Sequence, residues 1–283
     1  MKNENEILIM GIPRSGTTLS CNLINQMPNC VALSEPMKFV KFKELNINQR
    51  LQYIDDFLNN TRLSLINNGI AVSKNKNGSI PDNPCEVNEN SIELRKSKMQ
   101  LGVIRVEKDL SHDFTLVIKH NAGFIAQLDY LSFHYRCFGI IRNPLSVLAS
   151  WSTVNMPVHH GYSPIAELFD KELNNKLSEL EDSLDRQIYL MNWFFIKINK
   201  YLSWQNIIKY EEVISSGGSC LNRIIPFANI HSKSLDNINN NFKIDKPMLK
   251  HIYVKLIQNS ESYSGFYPIS DIKTKYDELL KLV

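Results

Sequence analysis

The segment that most constrains the fold is ILIMGIPRSGTTLSCNLINQ, residues 7–26. An apolar run typical of a buried strand leads into a glycine loop at 13–16, and a helix follows. Backbone N–H groups at the start of such a helix bind anions, so this layout is typical of a phosphate-binding loop. Gly11 and Gly16 have the spacing of the ATP- and GTP-binding pattern G-x-x-x-x-G-K-[ST], but Thr17 stands where that pattern has lysine.

The missing lysine narrows the range of ligands. In a nucleoside triphosphatase this lysine reaches the β and γ phosphates, and a carboxylate near a strand end holds magnesium. Here the only cation in the loop is Arg14, and no such carboxylate is evident in the sequence. None of the Cys, His and acidic residues has metal-ligand spacing. The loop therefore favours a shorter anion that is bound without metal.

The rest of the chain alternates apolar strand patterns with helical patterns, which predicts an α/β fold with a central parallel sheet flanked by helices. A polar stretch with Gly and Pro at about 70–108 interrupts the alternation. We interpret it as an excursion from a single domain of residues 1–283, with a hairpin turn at Asn77-Gly78. We predict strands at 6–12, 31–33, 114–120, 135–142 and 204–210, and helices at 17–27, 48–68, 123–132, 163–184, 186–202 and 274–282. The segment NPLSVLASWS opens a further helix, with Pro144 near its first turn.

Three of the predicted strands end in groups that can bind anions. They lead into the loop at 13–18, into Lys119-His120 and into Arg142. In open parallel sheets, ligands bind beyond the carboxyl ends of the strands. We therefore expect these groups to converge on one pocket if their strands are neighbours.

The bulk composition is that of an ordinary globular protein, with 43% hydrophobic and 22% charged residues. A net charge of +3 is too small to indicate nucleic acid as a partner, but it allows a local basic pocket. The five cysteines are scattered and contain no C-x-x-C pair, which favours free thiols in a reducing compartment and a cytoplasmic location. The apolar run at 7–12 is too short for a signal peptide or a membrane span, so we expect neither, and the sequence leaves the oligomeric state open.

Two motifs resemble those of the sulfotransferase superfamily that uses 3′-phosphoadenosine 5′-phosphosulfate (PAPS). PRSGTTL, residues 13–19, resembles the loop that binds the 5′-phosphosulfate. IIRNPLSVLASW, residues 140–151, resembles the 3′-phosphate motif, in which a serine follows a strand-end arginine by eight residues. The resemblance implies a P-loop NTPase-like sulfotransferase fold and an enzyme that converts PAPS to 3′-phosphoadenosine 5′-phosphate (PAP), without metal.

The resemblance also assigns roles to individual residues. In TLVIKH, Lys119 would approach the sulfuryl group that is transferred, and in IIKYEEV, Tyr210 would lie by the adenine. Arg14, together with Lys119, would stabilise charge on that group. The nucleotide-binding set implied is Pro13, Arg14, Ser15, Gly16, Thr17, Thr18, Arg142, Ser150 and Tyr210.

The acceptor and the general base are less constrained. The Arg-Ser-Gly form of the loop and LSEP at 33–36 are most similar to the carbohydrate branch, which implies an acceptor hydroxyl on a saccharide or glycoconjugate. An alcohol, phenol or lipid acceptor remains open. We favour Glu35 as the base, because it follows Arg14 at about the distance found in carbohydrate sulfotransferases, and His120 is the rival. The pair His159-His160 is a further candidate for lining the acceptor cleft.

Two other classes of function compete with this interpretation. One is a divergent P-loop kinase, which would need Mg²⁺ and a ligand to hold it. The other is a non-catalytic nucleotide-binding or assembly protein on the same fold, since a fold does not specify a function.

Overall fold

The computed structural model of the chain describes residues 2–86, 94–225, 234–235 and 244–282. Its strands are, in chain order, β1 (Glu6–Gly11), β2 (Cys30–Ser34), β3 (Ile70–Asn75), β4 (Cys85–Glu86), β5 (Lys96–Ser97), β6 (Gln100–Arg105), β7 (Thr115–Lys119), β8 (Arg136–Ile141) and β9 (Ile207–Lys209). Its α-helices are α1 (Thr17–Ile24), α2 (Ile47–Asn68), α3 (Ala122–Ile125), α4 (Leu128–His134), α5 (Pro144–Trp151), α6 (Pro164–Phe169), α7 (Lys171–Glu179), α8 (Ser183–Tyr201), α9 (Tyr210–Ser215), α10 (Lys246–Gln258) and α11 (Ile269–Leu280).

The central sheet of the described residues is parallel throughout, in the order β2-β7-β1-β8-β9. Leu8 and Met10 of β1 face one core, to which α2, α5 and α8 contribute. Ile7 and Ile9 face a smaller core under α1 and α9. Because successive side chains of a strand point to opposite faces, a strand covered by helices on both sides must be apolar throughout. The predicted α/β fold with a helix-flanked parallel sheet is confirmed.

The strand order makes β7, β1 and β8 neighbours, so their carboxyl ends lie side by side. Ile9 of β1 is in register with Lys119 of β7, and Gly11 is in register with Ile140 of β8. The expected convergence of the loop, Lys119 and Arg142 follows directly from this register.

The excursion forms a small antiparallel pair, β3 with β6, beside the end of β2. The predicted turn is present, since Asn77 and Gly78 have φ of 52° and 81° and Lys76 pairs with Ser79. The strand that pairs with β3, however, is β6 and not the segment just after the turn. The Ser34 amide donates to Ser73 Oγ at 3.0 Å, which holds β3 against β2. Residues 87–93 of the excursion lie outside the described residues.

Two segments that we predicted to be single helices are each divided into two helices. The leucine-rich segment 163–184 is divided into α6 and α7, because Asp170 takes the extended conformation (φ −129°, ψ 98°) and caps α7 by accepting from the Leu173 amide. The same carboxylate accepts from the Trp193 indole at 2.8 Å, a contact that sequence periodicity does not reveal. The segment 123–132 is likewise divided, into α3 and α4, at Gln127 (φ −120°).

The predicted strand at 204–210 is also too long. It is reduced to Ile207–Lys209, and Tyr210 already belongs to α9. The helix α10 was not predicted. Among the described residues, no helix has both the length and the apolar character needed to cross a membrane.

Candidate active site

The glycine loop is held between β8 and α5 by its first residues. The Trp151 indole donates to the Pro13 carbonyl at 2.8 Å, and Ser15 Oγ donates to the Ile140 carbonyl at 2.8 Å. The Ser15 amide donates to the Ile12 carbonyl at 3.0 Å. Ser15 belongs to the predicted nucleotide-binding set, and both of its donors bind backbone carbonyls of the protein here.

Gly16 is required by both conformation and space. It has φ of 87°, and a Cβ at this position would lie 2.3 Å from the Tyr210 ring. Tyr210 thus packs directly on the loop, at the start of α9. Thr17 and Thr18 follow as the first, buried residues of α1, whose N-terminal end faces the cavity described below. The helix that the sequence predicts after the loop is therefore present, with its start at the cavity.

The two residues of the predicted 3′-phosphate motif lie together. Arg142 follows β8, is buried, and has its guanidinium 4.3 Å from the centre of the Tyr210 ring. Its Nη1 donates to the Arg14 carbonyl at 3.2 Å, whereas its buried Nε has no hydrogen-bond partner within the described residues. Ser150 in the last turn of α5 accepts from Arg14 Nε at 3.2 Å. Arg14 thereby bridges the two predicted phosphate ligands.

The direction of the Arg14 side chain differs from our expectation. Arg14 has a left-handed backbone (φ 72°), and its guanidinium contacts Ser150 and, at 3.2 Å, Asn83 Oδ1. It therefore reaches the end of the site predicted for the 3′-phosphate, and its hydrogen bonds do not include Glu35. Two lysines contact Glu35 instead, Lys119 and Lys74, and the sequence did not suggest Lys74.

Glu35 lies between two lysines at the end of β2. Its Oε1 is 2.9 Å from Lys119 Nζ and its Oε2 is 2.6 Å from Lys74 Nζ. The Lys119 side chain is 4% exposed and that of Glu35 is 24% exposed. Burial alone would raise the pKa of Glu35, but the attraction of Lys119 and Lys74 outweighs it and lowers the pKa well below the usual range. The carboxylate is therefore ionised, and its φ of 45° marks a strained backbone of the kind that clusters at functional sites.

His120 is buried beside this group but faces another way. Its Nε2 accepts from the Met37 amide at 3.1 Å, and its ring packs edge-on against Phe39 and Phe124. Burial lowers the pKa of His120 to about 3, so the ring is neutral. A neutral imidazole has one acceptor nitrogen, and here that acceptor is occupied by a backbone amide.

Two cavities meet at Glu35 and Lys74. The first, of about 360 Å³, is lined by the glycine loop, the start of α1, Lys119 and Tyr210. The second, of about 370 Å³, shares Glu35 and Lys74 with the first. Its walls are largely apolar and comprise Met37, Phe39, Val40, Met156, Val158, Tyr162, Pro164 and Ile165, with His120 and Lys38 among the polar residues.

The predicted pair His159-His160 has structural contacts. His159 Nδ1 lies 3.1 Å from the Trp151 carbonyl, and the His160 carbonyl accepts from Arg186 at 2.8 Å. Neither residue is among the described residues that line the second cavity. Val158, directly before the pair, contributes to the wall instead.

The helix-flanked parallel sheet carries a phosphate-type loop and strand-end cations at one edge, which places the chain among α/β proteins with a site for an anionic ligand. The family model described as "Sulfotransferase domain" matches residues 4–279, so the chain belongs to the sulfotransferase family and is a PAPS-dependent sulfotransferase. No curated protein matches the chain.

The described residues fit such a donor. Arg142 has a buried N–H without a hydrogen-bond partner in the described ranges, and the start of α1 faces the first cavity. Within the described ranges, no cluster of three or more His, Cys, Asp or Glu side chains is arranged to hold a metal ion.

Proposed function

We propose that this protein is an O-sulfotransferase that moves the sulfuryl group of PAPS to an acceptor hydroxyl, with Glu35 as the general base. The observation that carries the proposal is the position of the Glu35 carboxylate, which lies between Lys119 and Lys74 where the two cavities meet. A donor in the first cavity and an acceptor in the second would meet at this carboxylate.

The reaction needs both a base and positive charge at one point. In an in-line transfer, the acceptor oxygen forms a bond to sulfur while the bond from sulfur to the 5′-phosphate oxygen breaks, and its electron pair leaves with PAP. The acceptor proton passes to Glu35. Lys119 and Lys74 are the cations nearest to this point, so we assign them to the charge on the sulfuryl and bridging oxygens.

The two lysines also decide when Glu35 can act. While both contact it, the carboxylate is a weak base, because they lower its pKa. A sulfuryl group is a competing acceptor for their N–H groups. Transfer of those contacts from Glu35 to the sulfuryl group would raise the pKa of the base when the donor is bound. Basicity would thus be coupled to donor binding.

His120 is the weaker candidate for the base. A base must accept the proton of the acceptor hydroxyl, and the acceptor nitrogen of His120 already binds the Met37 amide. Its ring does line the second cavity, so a role in shaping the acceptor site is compatible with its position. Comparison of turnover in Glu35→Gln and His120→Ala separates these two residues.

For the acceptor, we propose two candidates. The loop and LSEP motifs favour a hydroxyl on a saccharide or glycoconjugate. The apolar second cavity supports the alternative, a compact alcohol, phenol or lipid whose apolar body lies against Phe39, Val40 and Ile165. A bare sugar carries many hydroxyl groups, whereas most of this lining is apolar, with Lys38, Lys74, Asn121 and Ser163 among its polar residues. The geometry therefore favours the second candidate.

Turnover of purified protein with PAPS against a panel of sugars, glycosides with apolar aglycones, phenols and long-chain alcohols tests this proposal. We expect PAP formation with acceptors that have an apolar body, and calorimetric binding of PAP that is unchanged by EDTA. A preference for free sugars would favour the first candidate. Binding of ATP only with Mg²⁺, and none of PAP, would contradict the proposed function altogether.

A further inference from the structure

The excursion brings a third arginine, Arg95, to the Ser150 end of the site. The Arg95 amide donates to the Thr153 carbonyl at 3.0 Å, and the Asn155 amide donates to the Arg95 carbonyl at 2.8 Å. Thr153 follows α5 directly, and Ser150 lies in the last turn of that helix. Arg95 is thus fixed by its backbone to the segment that carries the predicted phosphate-binding serine.

The Arg95 guanidinium is only partly satisfied. Its Nη2 donates to Thr153 Oγ1 at 2.6 Å, and the Thr153 hydroxyl in turn donates to the Ser150 carbonyl at 2.9 Å. Its Nε is buried and has no hydrogen-bond partner in the part of the chain that the structure describes. Arg142 Nε is likewise buried and without a hydrogen-bond partner among the described residues. An unpaired buried N–H of a charged group is costly and calls for an explanation.

Two other arginines, Arg14 and Arg142, act on Arg95 with the same sign of charge. Burial lowers the pKa of Arg95, the positive charges of Arg14 and Arg142 lower it further, and the pKa falls to about 10. Cys85 acts in the opposite direction. Arg14 and Arg142 are thus close enough to act on Arg95, and no carboxylate within the described ranges forms an ion pair with it. A bound dianion would both neutralise this cluster and supply acceptors for the unpaired N–H groups.

We propose that Arg95 binds the 3′-phosphate of the nucleotide together with Arg142 and Ser150, so that the excursion completes the nucleotide site. This proposal rests on the proposed function, since it takes an adenosine 3′,5′-bisphosphate as the ligand. Arginine suits the role because its planar group presents several N–H donors at once to a phosphate. Neither the glycine loop nor the 3′-phosphate motif contains this residue.

The test compares PAP with AMP, which differ only in the 3′-phosphate, by calorimetry on the wild-type protein, Arg95→Ala and Arg105→Ala. We expect Arg95→Ala to weaken PAP binding about 10- to 100-fold, the range for a lost charged hydrogen bond, and to leave AMP binding within about twofold. Arg105 is an exposed arginine at the end of β6 in the same excursion. Its removal changes the net charge equally and should alter neither affinity.

Arg95→Lys guards against a variant that fails to fold, because it keeps the charge and removes Nε and the fork. It should lose part of the PAP affinity and none of the AMP affinity. Equal losses for both nucleotides, or no loss of PAP affinity in either Arg95 variant, would overturn the proposal. A wild-type protein that binds PAP no better than AMP would overturn it as well. Tight PAP binding without turnover would instead contradict the proposed function and leave the role of Arg95 intact.

Discussion

Replacing Glu35 with glutamine removes the proposed base while keeping the shape of the side chain. Loss of a general base typically lowers turnover by about 10²–10⁴-fold. The hydrogen bonds of Glu35 go to Lys74 and Lys119 and not to Arg14, Arg142 or Ser150. PAP affinity should therefore change by less than about threefold. The expected signature is a fall in the maximal rate at nearly unchanged nucleotide affinity.

The same substitution has a cost in stability that can be estimated from the contacts. Lys119 is 4% exposed, and its carboxylate partner would become a neutral amide 2.9 Å away. Removing one partner of a buried ion pair costs about 3–5 kcal/mol. Glu35 is one-quarter exposed and Gln can still accept a hydrogen bond, so we expect the low end, about 3 kcal/mol or less. Saturating PAP should recover stability by mass action.

The assay combines turnover with the best acceptor of the panel, PAP calorimetry and thermal unfolding. Glu44→Gln is the control, because Glu44 is an exposed carboxylate after β2 at the end of the 39–44 segment. Near-normal turnover of Glu35→Gln would refute the assignment of Glu35. If His120→Ala lost turnover at the same time, the base would be His120, and the preference for a carbohydrate acceptor that the motifs suggest would weaken.

Three further predictions follow from the same geometry. Arg142→Ala should weaken PAP about 10- to 100-fold and adenosine 5′-phosphosulfate, which has no 3′-phosphate, much less, and equal losses by calorimetry would contradict the role of Arg142. Lys74→Met removes one of the cations that lower the pKa of Glu35, so the acid-side decline of kcat/KM should move to higher pH, and an unmoved pH profile would contradict the coupling. The pKa of His120 is lowered to about 3, whereas an unfolded histidine titrates near 6.5, so the unfolded state binds the extra proton between these values. The free energy of unfolding should therefore fall with decreasing pH from about 6.5, by about 1.4 kcal/mol per pH unit from this residue, and urea titrations of His120→Gln should show a smaller slope.

The sequence by itself determined the parts of this protein that depend on local pattern. The apolar runs of β1, β7 and β8 predicted buried parallel strands, because only a strand covered on both faces is apolar at every position. The loop could be predicted from Gly16 and the helical pattern that follows it, since glycine readily adopts the positive φ that this position has. Lys119 and Arg142 could be located because the carboxyl ends of parallel strands share one edge of the sheet.

Only the tertiary structure decided what those residues contact. Lys74 reaches Glu35 because β3 is held against β2 by Ser73, and Arg95 reaches the segment after α5 through backbone hydrogen bonds to Thr153 and Asn155. These contacts join residues far apart in the chain and leave no periodic signal in a polar, loop-rich stretch. The direction of Arg14 is likewise set by Ser150 and Asn83, which lie on two other segments. Strand and helix patterns report which face of an element is buried, whereas the partners of a charged side chain depend on how distant segments pack.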